Sequence, residues 1–437
     1  MEDQLIAEFG QLVLQRPTTI EFTNEQEDFI ERAVKNRQNL LLVAPAGYGK
    51  SAVIKEIVNR FNNERVLCAL CASTGKAALL VGGRTLHSYL GIGQGNGSVE
   101  DWVKFTRSMP YMRNKLSELK TVQVILADEV SMVSAKFLDQ ISEYLQKIRS
   151  DPKPFGGVQI ILIGDLCQLP PVKGKFIFFS AEYERAAFHP YQFTRCFRQS
   201  DDPKFIELLN EVRFGRYSEE TWKTLSNRTS IDPEYSNGLT PMRIVSRNDE
   251  VDKINEAELN DFLAKQKVAK IKYAVRNIDD PKKVKKATDY RKKANIPEFV
   301  EIAVGCQVVV TQNLGQGIVN GSQGYVTTTG SNWVQLRLHD GSTARIEYVQ
   351  FKDPELPHMI TLFSYMPLRL GYASTVHKAQ GMTLKLLEVD LKNTFAHGQL
   401  YTALSRVTDL RGLTVKNLTP RAFICDKDVL EFYKRLS

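Results

Sequence analysis

The sequence contains no long hydrophobic run of the kind that crosses a membrane. No apolar stretch in its 437 residues approaches the about 18 residues that a transmembrane helix requires. The start, Met1-Glu2-Asp3, lacks the basic and then apolar layout of a secretory signal peptide. We therefore expect a soluble, intracellular protein with no membrane partner. These features do not distinguish nucleus, mitochondrion, bacterial cytoplasm and virus-infected host cell.

Cysteine is scarce and scattered, which excludes a disulfide-rich secreted scaffold. The six cysteines, at 68, 71, 167, 196, 306 and 425, form no paired framework. Cys68 and Cys71 have the C-x-x-C spacing of many zinc sites, but no second such pair follows. The apolar segment around them is typical of a buried strand, so two core cysteines are the preferred interpretation over zinc.

The excess of positive charge is small overall and concentrated in one segment. The chain has 58 Lys and Arg against 50 Asp and Glu, a formal net charge of +8. Segment 265–293 alone has twelve Lys or Arg against three Asp. Such a run is explained either by a solvated helical or loop surface or by a surface that faces a polyanion, and charge alone does not decide between them.

The first half of the chain alternates strand-like and helix-like segments. With 43% hydrophobic and 25% charged residues the composition is globular, and the length suggests about three domains. Continuous apolar runs, typical of parallel strands covered on both faces, lie at 39–43, 65–70, 122–127 and 158–163. Helix-like stretches such as 51–61 and 135–148 separate them. This alternation predicts an open α/β sheet.

The second half repeats this pattern around an interruption of different texture. Strand-like runs at 243–245, 387–391 and 412–418, with a predicted helix at 399–406, indicate a second α/β domain. Between them, short β runs at 304–311, 324–329, 333–338 and 344–348 are separated by Asn-Gly, Gly-Ser and Asp-Gly pairs, which are typical of hairpins. The pattern predicts a small inserted β-barrel.

Residues 44–51, Ala-Pro-Ala-Gly-Tyr-Gly-Lys-Ser, match the phosphate-binding loop G-x-x-x-x-G-K-[ST] except at the first glycine, which is Ala44. A strand precedes and a helix follows, as the motif requires. Its central positions turn the backbone amides toward a triphosphate, its lysine reaches the phosphates and its serine can hold Mg²⁺. We therefore predict an ATP site formed by Ala46, Gly47, Tyr48, Gly49, Lys50 and Ser51.

Polar residues also follow two later strand-like runs. Asp128 and Glu129 end the run at 124–127, which places two carboxylates at the carboxyl edge of a strand. Metal-assisted hydrolysis needs one acid to hold Mg²⁺ and a neighbour to position or deprotonate water, and two surface acids are the alternative. Gln168 follows the next strand, where it could sense a γ-phosphate or be an ordinary polar loop residue.

Taken in chain order, these motifs resemble the Pif (petite integration frequency) family of DNA helicases, in the RecD-like branch of superfamily 1B. No segment beyond the phosphate loop is strong alone, whereas the ordered set is specific and spans roughly residues 20–418. The matching segments are 23–26, 44–51, 73–78, 83–88, 128–132, 164–172, 197–199, 319–321, 375–383 and 401–406.

The resemblance implies an α/β fold of two RecA-like P-loop domains with parallel sheets and a small inserted SH3-like β-barrel. The expected divisions are an N-terminal extension at 1–20, domain 1 at 21–195 with a wedge near 91–119, domain 2 at 196–260 and 366–437, and an accessory subdomain at 261–365. In the wedge, Trp102, Phe105 or Tyr111 could stack on a base or pack into a core.

The resemblance also implies roles around ATP and Mg²⁺. Gln26 would read adenine, Gly381 would join the nucleotide site, and Gln168 would couple the γ-phosphate to motion. Ser51 and Asp128 would hold the metal ion and Glu129 would activate water. Arg198 and Arg406 would reach the same phosphate from domain 2, which stabilises transition-state charge only when the domains close. For either arginine alone, a surface salt bridge is the alternative.

Seven residues match segments that line the path of single-stranded DNA in such helicases. Hydroxyls, imidazoles and backbone amides that contact phosphates hold a strand without reading its sequence. Each of the seven could instead be a loop or capping residue. They are Thr74, Gly75, Thr85, His87, Thr375, His377 and Lys378.

The sequence thus predicts an ATP- and Mg²⁺-dependent DNA helicase that acts as a monomer on single-stranded, forked or structured DNA. Movement from 5′ to 3′ follows from the resemblance alone. One alternative is a nucleic-acid-stimulated ATPase that acts on RNA or nucleoprotein without separating strands. Another is a nucleic-acid-binding protein whose phosphate loop has decayed, which Ala44 leaves open.

Overall fold

The first half of the chain forms a sheet of six parallel strands. The structure, a computed structural model, describes residues 21–436 except 94, 96, 173, 198–201, 246, 278–280, 353–360 and 394–395, so segment 1–20 and Arg198 lie outside the described residues. The strands are β1 Leu40–Val43, β2 Cys68–Ala72, β3 Arg84–Thr85, β4 Val124–Asp128, β5 Gln159–Gly164 and β6 His189–Gln192. Their spatial order is β3-β2-β4-β5-β1-β6.

Helices cover both faces of this sheet. They are α1 Asn24–Val34, α2 Lys50–Asn63, α3 Gly75–Val81, α4 Leu86–Leu90, α5 Val99–Ser108, α6 Arg113–Thr121, α7 Ala135–Arg149 and α8 Ala181–Arg185. Along β1, Leu40 and Leu42 pack into one apolar cluster with α1 and α2, while Leu41 and Val43 pack into another with α5 and α7. The continuous apolar runs therefore have the cause expected from the sequence, which is burial on both faces.

The remaining strands divide between a second parallel sheet and antiparallel sheets. They are β7 Met242–Val245, β8 Ile271–Ala274, β9 Arg276–Asn277, β10 Phe299–Ile302, β11 Gln307–Val310, β12 Gln323–Thr329, β13 Trp333–Leu338, β14 Thr343–Glu347, β15 Val349–Lys352, β16 Thr361–Tyr365, β17 Leu368–Leu370, β18 Ala373–Thr375, β19 Leu387–Asp390 and β20 Leu413–Lys416. The second parallel sheet has the order β18-β7-β19-β20.

The second half of the chain contains eight α-helices in the residues that the structure describes. They are α9 Pro203–Arg213, α10 Glu219–Ser226, α11 Pro233–Ser236, α12 Asn248–Gln266, α13 Pro281–Lys293, α14 Val376–Ala379, α15 Gln399–Leu404 and α16 Lys427–Lys434. Two parallel α/β sheets are therefore present, in agreement with the fold class predicted from the sequence. Within the described ranges, no helix is both long and apolar enough to cross a lipid bilayer.

Strands β8 to β17, which we call the insert, interrupt the second parallel sheet. Their largest sheet is antiparallel with the order β14-β13-β12-β11-β17, and two smaller sheets have the orders β15-β16-β9 and β10-β8. The hairpins expected at Gly330 and Asp340 join β12 to β13 and β13 to β14. Because β17 pairs with β11, the antiparallel sheet continues past residue 365, where the boundary of the accessory subdomain was expected.

Helix α12 belongs to both the second parallel sheet and the insert. Asn255 donates to the carbonyl of Ala373 (3.2 Å) and accepts from the backbone N–H groups of Tyr372 and Ala373. One turn later, Leu259 is buried in the core of the insert with Val308. The boundary expected between residues 260 and 261 therefore falls inside one continuous helix.

The C-x-x-C pair lies on a strand with its two thiols on opposite faces. Cys71 is part of the apolar cluster on one side of the first sheet, and Cys68 packs against the cluster on the other side. Side chains three residues apart on a strand point in opposite directions, so this pair cannot share one zinc ion. Burial raises the pKa of both thiols to about 12.

The segment expected to form a wedge consists mainly of helices α5 and α6. Trp102 is 4% exposed and its ring packs edge-on against Tyr144 at 6.0 Å, so it is a core residue. Phe105 and Tyr111 contact each other at 6.0 Å and are 39% and 70% exposed. Of the three aromatic residues considered for stacking on a base, only these two face solvent.

Candidate nucleotide cleft

The two parallel sheets meet at a cleft of about 390 Å³. It opens at the carboxyl ends of β1 and β4, the edge at which parallel α/β sheets bind ligands. Candidate residues from both halves of the chain converge on it. Those that line it are Ala46, Gly47, Gly49, Lys50, Ser51, Thr74, Asp128, Glu129, Gln168, His377, Gly381 and Arg406.

The phosphate loop has the backbone geometry that its glycines make available. Gly47 and Gly49 adopt positive φ angles of 88° and 81°, a region that L side chains rarely enter. Ala44, the departure from the motif, is fully buried and donates its N–H to the Gly164 carbonyl at 2.9 Å. Lys50 Nζ donates to the carbonyls of Ala44 (2.9 Å) and Pro45 (2.8 Å). The ammonium group is thereby held over the loop.

Asp128 and Glu129 lie at the end of β4, within the cleft. Glu129 has a positive φ of 55°, an unusual conformation for a residue other than glycine. Its N–H donates to Asp128 Oδ1 at 2.8 Å, and its carbonyl accepts from Ser73 Oγ at 2.7 Å. Burial and the adjacent charge of Glu129 raise the pKa of Asp128 to about 7, against the lowering effect of Lys50.

Gln380 joins the two halves of the cleft, although it was not among the predicted site residues. Its Nε2 donates to Glu129 Oε2 at 2.9 Å and to Gln168 Oε1 at 3.2 Å. Gln168 itself is 3% exposed. Gln380 lies inside the matched segment 375–383, between His377 and Gly381, so position within that motif was the one available signal.

Arg406 enters the cleft from the second half of the chain and is 1% exposed. Its Nε donates to the Thr402 carbonyl at 2.9 Å and one Nη to Ser405 Oγ at 2.7 Å. Burial lowers its pKa, and the charge of Glu129 opposes that shift. The predicted second-domain arginine therefore faces the phosphate loop, whereas Arg198 lies outside the described residues.

Gln26 and Tyr48 lie behind the phosphate loop. Gln26 forms a capping box with Thr23 at the start of α1, and its Nε2 donates to the Tyr48 carbonyl at 3.5 Å. A Cβ atom on Gly49 would lie 2.5 Å from that same Nε2. The Tyr48 ring is buried in the core against α1 and α2, so the backbone of this residue and not its ring belongs to the loop.

The three candidate threonines for DNA binding share one structural role. Thr74, Thr85 and Thr375 each follow or end a strand and cap a short helix, accepting from Ala77, Ser88 and Lys378 N–H groups at 3.1–3.2 Å. A capping hydroxyl still has its own proton to donate. The caps are compatible with contacts to phosphate and leave the DNA-binding assignment a prediction.

The two candidate histidines and Lys378 differ in their surroundings. His87 is partly buried and stacks on Phe137 at 4.4 Å, and burial lowers its pKa. His377 is exposed at the cleft. The Lys378 carbonyl accepts from Lys76 Nζ, a residue of the first domain that the sequence analysis also did not select.

A buried polar network crosses the boundary between the two parallel sheets. Arg213 of α9 forms a salt bridge with Asp165 at the end of β5 (3.0 Å) and donates to the Tyr433 hydroxyl (2.7 Å). Tyr401 donates to the other Asp165 oxygen at 2.7 Å. Burial alone would raise the pKa of Asp165, but Arg213 and these hydrogen bonds hold it below its usual value. We call these four residues the balanced cluster.

A phosphate loop at one parallel sheet, faced across a cleft by residues from a second, defines a P-loop protein with two RecA-like α/β domains. A sequence model of the family described as PIF1-like helicase matches residues 21–223. The ATP-dependent DNA helicase Pif1 of Bdellovibrio bacteriovorus is 31% identical over 95% of this chain and 92% of its own length. The chain belongs to the PIF1-like helicase family.

Other relatives also match this chain over nearly its whole length. The human ATP-dependent DNA helicase PIF1 is 32% identical over 97% of this chain, which spans 65% of that protein. The crystal structure of a Bacteroides Pif1 in complex with ADP-AlF4 matches with a TM-score of 0.78 and 27% identity, covering 95% of this chain and 97% of that one. The chain therefore corresponds to about two thirds of the human relative's length.

Proposed function

We propose that this chain is an ATP-dependent DNA helicase that moves 5′ to 3′ along single-stranded DNA and separates duplex or structured DNA. The observation that carries the proposal is the cleft with residues of both parallel-sheet domains, in which Gln380 donates to Glu129 and Gln168 across the boundary. Solved relatives support DNA as the substrate, because they are described as Pif1 with ADP-AlF3 and single-stranded DNA and as Pif1 at forked double-stranded DNA.

Lys50 and the backbone amides of Ala46 to Ser51 bind the phosphates of ATP in this proposal. The positive end of α2 and the lysine charge both favour an anion at this loop. Lys50 exchanges its two carbonyl contacts for phosphate oxygens, which are stronger acceptors because they are charged. Gln26 and Gly381 contact the rest of the nucleotide.

Ser51 and Asp128 would hold Mg²⁺. The donor set fits this ion, since a hydroxyl and a carboxylate supply the hard oxygen ligands that Mg²⁺ prefers. The buried Asp128 carboxylate next to Glu129 also carries an electrostatic cost, visible in the raised pKa of Asp128, which a divalent cation would offset. When bound, the ion neutralises charge that develops on the phosphates.

Glu129, Gln168 and Arg406 perform the remaining steps in the proposal. Glu129 orients and deprotonates the attacking water, and Gln380 fixes its carboxylate by donating to Oε2. Arg406 stabilises charge on the transferred phosphoryl group from domain 2, and Arg198 shares this role. Gln168 contacts the γ-phosphate and is linked to domain 2 by the hydrogen bond that it accepts from Gln380. Hydrolysis is thereby tied to the contact between domains.

In this proposal, single-stranded DNA lies along the carboxyl edges of both parallel sheets. Thr74, Gly75, Thr85 and His87 contact it from domain 1, and Thr375, His377 and Lys378 contact it from domain 2. In this proposal the insert supplies the SH3-like barrel, and the basic helix α13, which packs on β16, faces the polyanion. Phe105 and Tyr111 are the remaining candidates to stack on a duplex end.

One chain is the proposed unit of ATP hydrolysis. The residues assigned to the cleft lie on both halves of one chain, and in this proposal they suffice for hydrolysis without a second copy. A solved relative is described in terms of DNA unwinding at forked double-stranded DNA by two coordinating Pif1 helicases. We therefore expect the ATPase rate per chain to be independent of protein concentration, as measured from nanomolar to micromolar protein on short single strands.

ATP turnover with and without single-stranded DNA is the central test. We expect many-fold stimulation of hydrolysis by DNA, and none in Lys50→Ala, which should still bind DNA because Lys50 is not among the residues proposed to contact DNA. Lys223→Ala, an exposed lysine on α10, is the matched control and should behave as the wild type. Well-folded protein that shows no stimulation would contradict the proposal.

Two further measurements separate the alternative functions. Unwinding of a forked duplex, with RNA as competitor, distinguishes a DNA helicase from an ATPase that acts on RNA or nucleoprotein. Titration with a fluorescent ATP analogue tests for a decayed phosphate loop, in which case the wild type and Lys50→Ala would bind the analogue equally weakly.

A further inference from the structure

Three cationic side chains from different parts of the fold meet beside the nucleotide cleft. Lys76 is on α3 of the first domain, Arg369 on β17 of the insert, and Lys378 on α14 of the second domain. All three line one small pocket, and Lys76 also lines the nucleotide cleft. We call these three residues the cationic cluster.

The contacts of the cationic cluster are made to neutral groups. Lys76 Nζ donates to the Lys378 carbonyl, and Arg369 donates to the carbonyl of Asn295. In the described part of the chain, no salt bridge joins any of the three cations to a carboxylate. Asp252 on α12 is the acid whose charge acts on Arg369 and Lys378, and it lies on the exposed side of its helix.

The three cations therefore destabilise one another. Burial lowers the pKa of all three side chains, and Arg369 lowers those of Lys76 and Lys378 further. Lys76 also experiences the positive charge of Arg406. Like charges held together in a partly buried place cost free energy unless an anion joins them. The balanced cluster shows how this chain satisfies a buried cation when no ligand is required.

We propose that Lys76, Arg369 and Lys378 form a phosphate-binding site. Asn295, Thr311 and Tyr365 add polar groups, and the rest of the lining is apolar. A phosphate matches three converging cations in charge, and Arg369 offers the planar donor pair that suits phosphate oxygens. The inference rests on the proposed function, whose two ligands both carry phosphates. The phosphate therefore belongs either to the backbone of single-stranded DNA or to the nucleotide.

A phosphate in this site would contact the first domain, the insert and the second domain at once. Each cation belongs to a different one of these three parts, so the ligand would join them through charge-assisted hydrogen bonds. Because Lys76 lines both pockets, it is a positioning residue through which occupancy of one site affects the other.

The decisive experiment measures binding by Arg369→Gln, with Arg369→Lys and Arg345→Gln as comparison variants. Arg345 is an exposed arginine of the same antiparallel sheet, paired with Glu347, so it controls for loss of one positive charge. Affinity for fluorescent single-stranded DNA is measured without nucleotide at several NaCl concentrations. Affinity for a fluorescent ATP analogue is measured separately without DNA.

The two sources of phosphate give different results. If DNA supplies it, Arg369→Gln weakens DNA binding and reduces the slope of log K against log salt by about 0.7, the value for one phosphate contact on a single strand. Arg369→Lys then keeps the slope. If the nucleotide supplies it, affinity for the ATP analogue falls and the slope is unchanged. Unchanged binding of both ligands, or an equal effect of Arg345→Gln, overturns the proposal.

Thermal unfolding provides a second readout that a merely structural role would not produce. Removing one of three mutually repelling cations should raise the Tm of the unliganded protein and weaken ligand binding. If Arg369→Gln fails to fold, Lys378→Gln is measured in its place. A wild-type protein that binds neither DNA nor ATP would refute the proposed function. Titration of the wild type and Arg369→Gln with inorganic pyrophosphate would still test this site, and equal affinities would overturn it.

Discussion

Two charged clusters cross the domain boundary, and they differ in how their charges are compensated. In the balanced cluster, Arg213 and Asp165 neutralise each other and two tyrosine hydroxyls complete their hydrogen bonds. In the cationic cluster, Lys76 and Arg369 donate to the backbone carbonyls of Lys378 and Asn295. The difference indicates that the balanced cluster holds the two domains together, whereas the cationic cluster is suited to bind an anionic ligand.

Arg406 connects the two clusters electrostatically. The negative charge of Asp165 acts on it from one side, and its own positive charge lowers the pKa of Lys76 on the other. It also lines the nucleotide cleft. Arg406 is therefore influenced by the charges of both the balanced cluster and the cationic cluster.

The largest expected effect comes from Arg406→Gln, which removes the charge between the clusters. We expect kcat of DNA-stimulated ATP hydrolysis to fall by about 10³-fold or more, because a charge that stabilises the transition state is lost. Binding of the ATP analogue should persist, and Arg406→Lys should restore part of the rate. Steady-state kinetics beside a binding titration measure both quantities. Unchanged kcat would remove the two-domain mechanism.

The next largest effect is expected from Arg213→Met, which breaks the balanced cluster and should lower the free energy of unfolding. Asp165 would remain as a buried, uncompensated charge, which costs about 3–5 kcal/mol. Urea unfolding of the unliganded protein measures this loss. The double variant Asp165→Asn/Arg213→Met removes both charges and should recover part of the stability. Equal stability of the single and double variants would contradict the assignment of an ion pair.

Tyr433→Phe tests the outer part of the same cluster. The variant removes one buried hydroxyl that accepts from Arg213, and we expect a loss of about 1–2 kcal/mol in unfolding free energy. The ATPase rate should change little, since the hydroxyl does not line the nucleotide cleft. A loss as large as that of Arg213→Met would show that the tyrosine, and not the ion pair, dominates the cluster.

Lys76→Met should have the smallest effect and the opposite sign. Removing one cation from the cationic cluster relieves repulsion, and we expect the unliganded protein to gain up to about 1 kcal/mol of stability. The gain should shrink in high salt, which screens the repulsion. Urea unfolding at low and high NaCl measures it. A clear loss of stability would mean that the cluster is structural.

The strands of both parallel sheets were largely predictable because burial on two faces leaves continuous apolar runs. The strand predicted at 65–70 begins later, at Cys68, because Arg65 takes a positive φ of 57° in the turn that follows α2. Strand β6 was missed because it is a half-exposed edge strand that contains Pro190, and β18 because it has three residues. Neither leaves an apolar run in the sequence.

The nucleotide cleft was predictable where its residues form local motifs and unpredictable where they meet through the fold. Lys50, Asp128 and Glu129 each follow a strand in a recognisable pattern. By contrast, Arg213 reaches Asp165 from 48 positions away, and Lys76 reaches the Lys378 carbonyl from 302. Contacts at such separations depend on how the two sheets pack, which periodicity and spacing do not encode.

Helix α12 is a single rigid element shared by the second parallel sheet and the insert. It is 19 residues long, or about 28 Å, and it contacts the second sheet through Asn255 in its N-terminal half and the core of the insert through Leu259 in its C-terminal half. A rotation of 10° at its base would displace its tip by about 5 Å, roughly the spacing between neighbouring β-strands. A small tilt of the second parallel sheet would therefore carry the insert with it over a distance of molecular size.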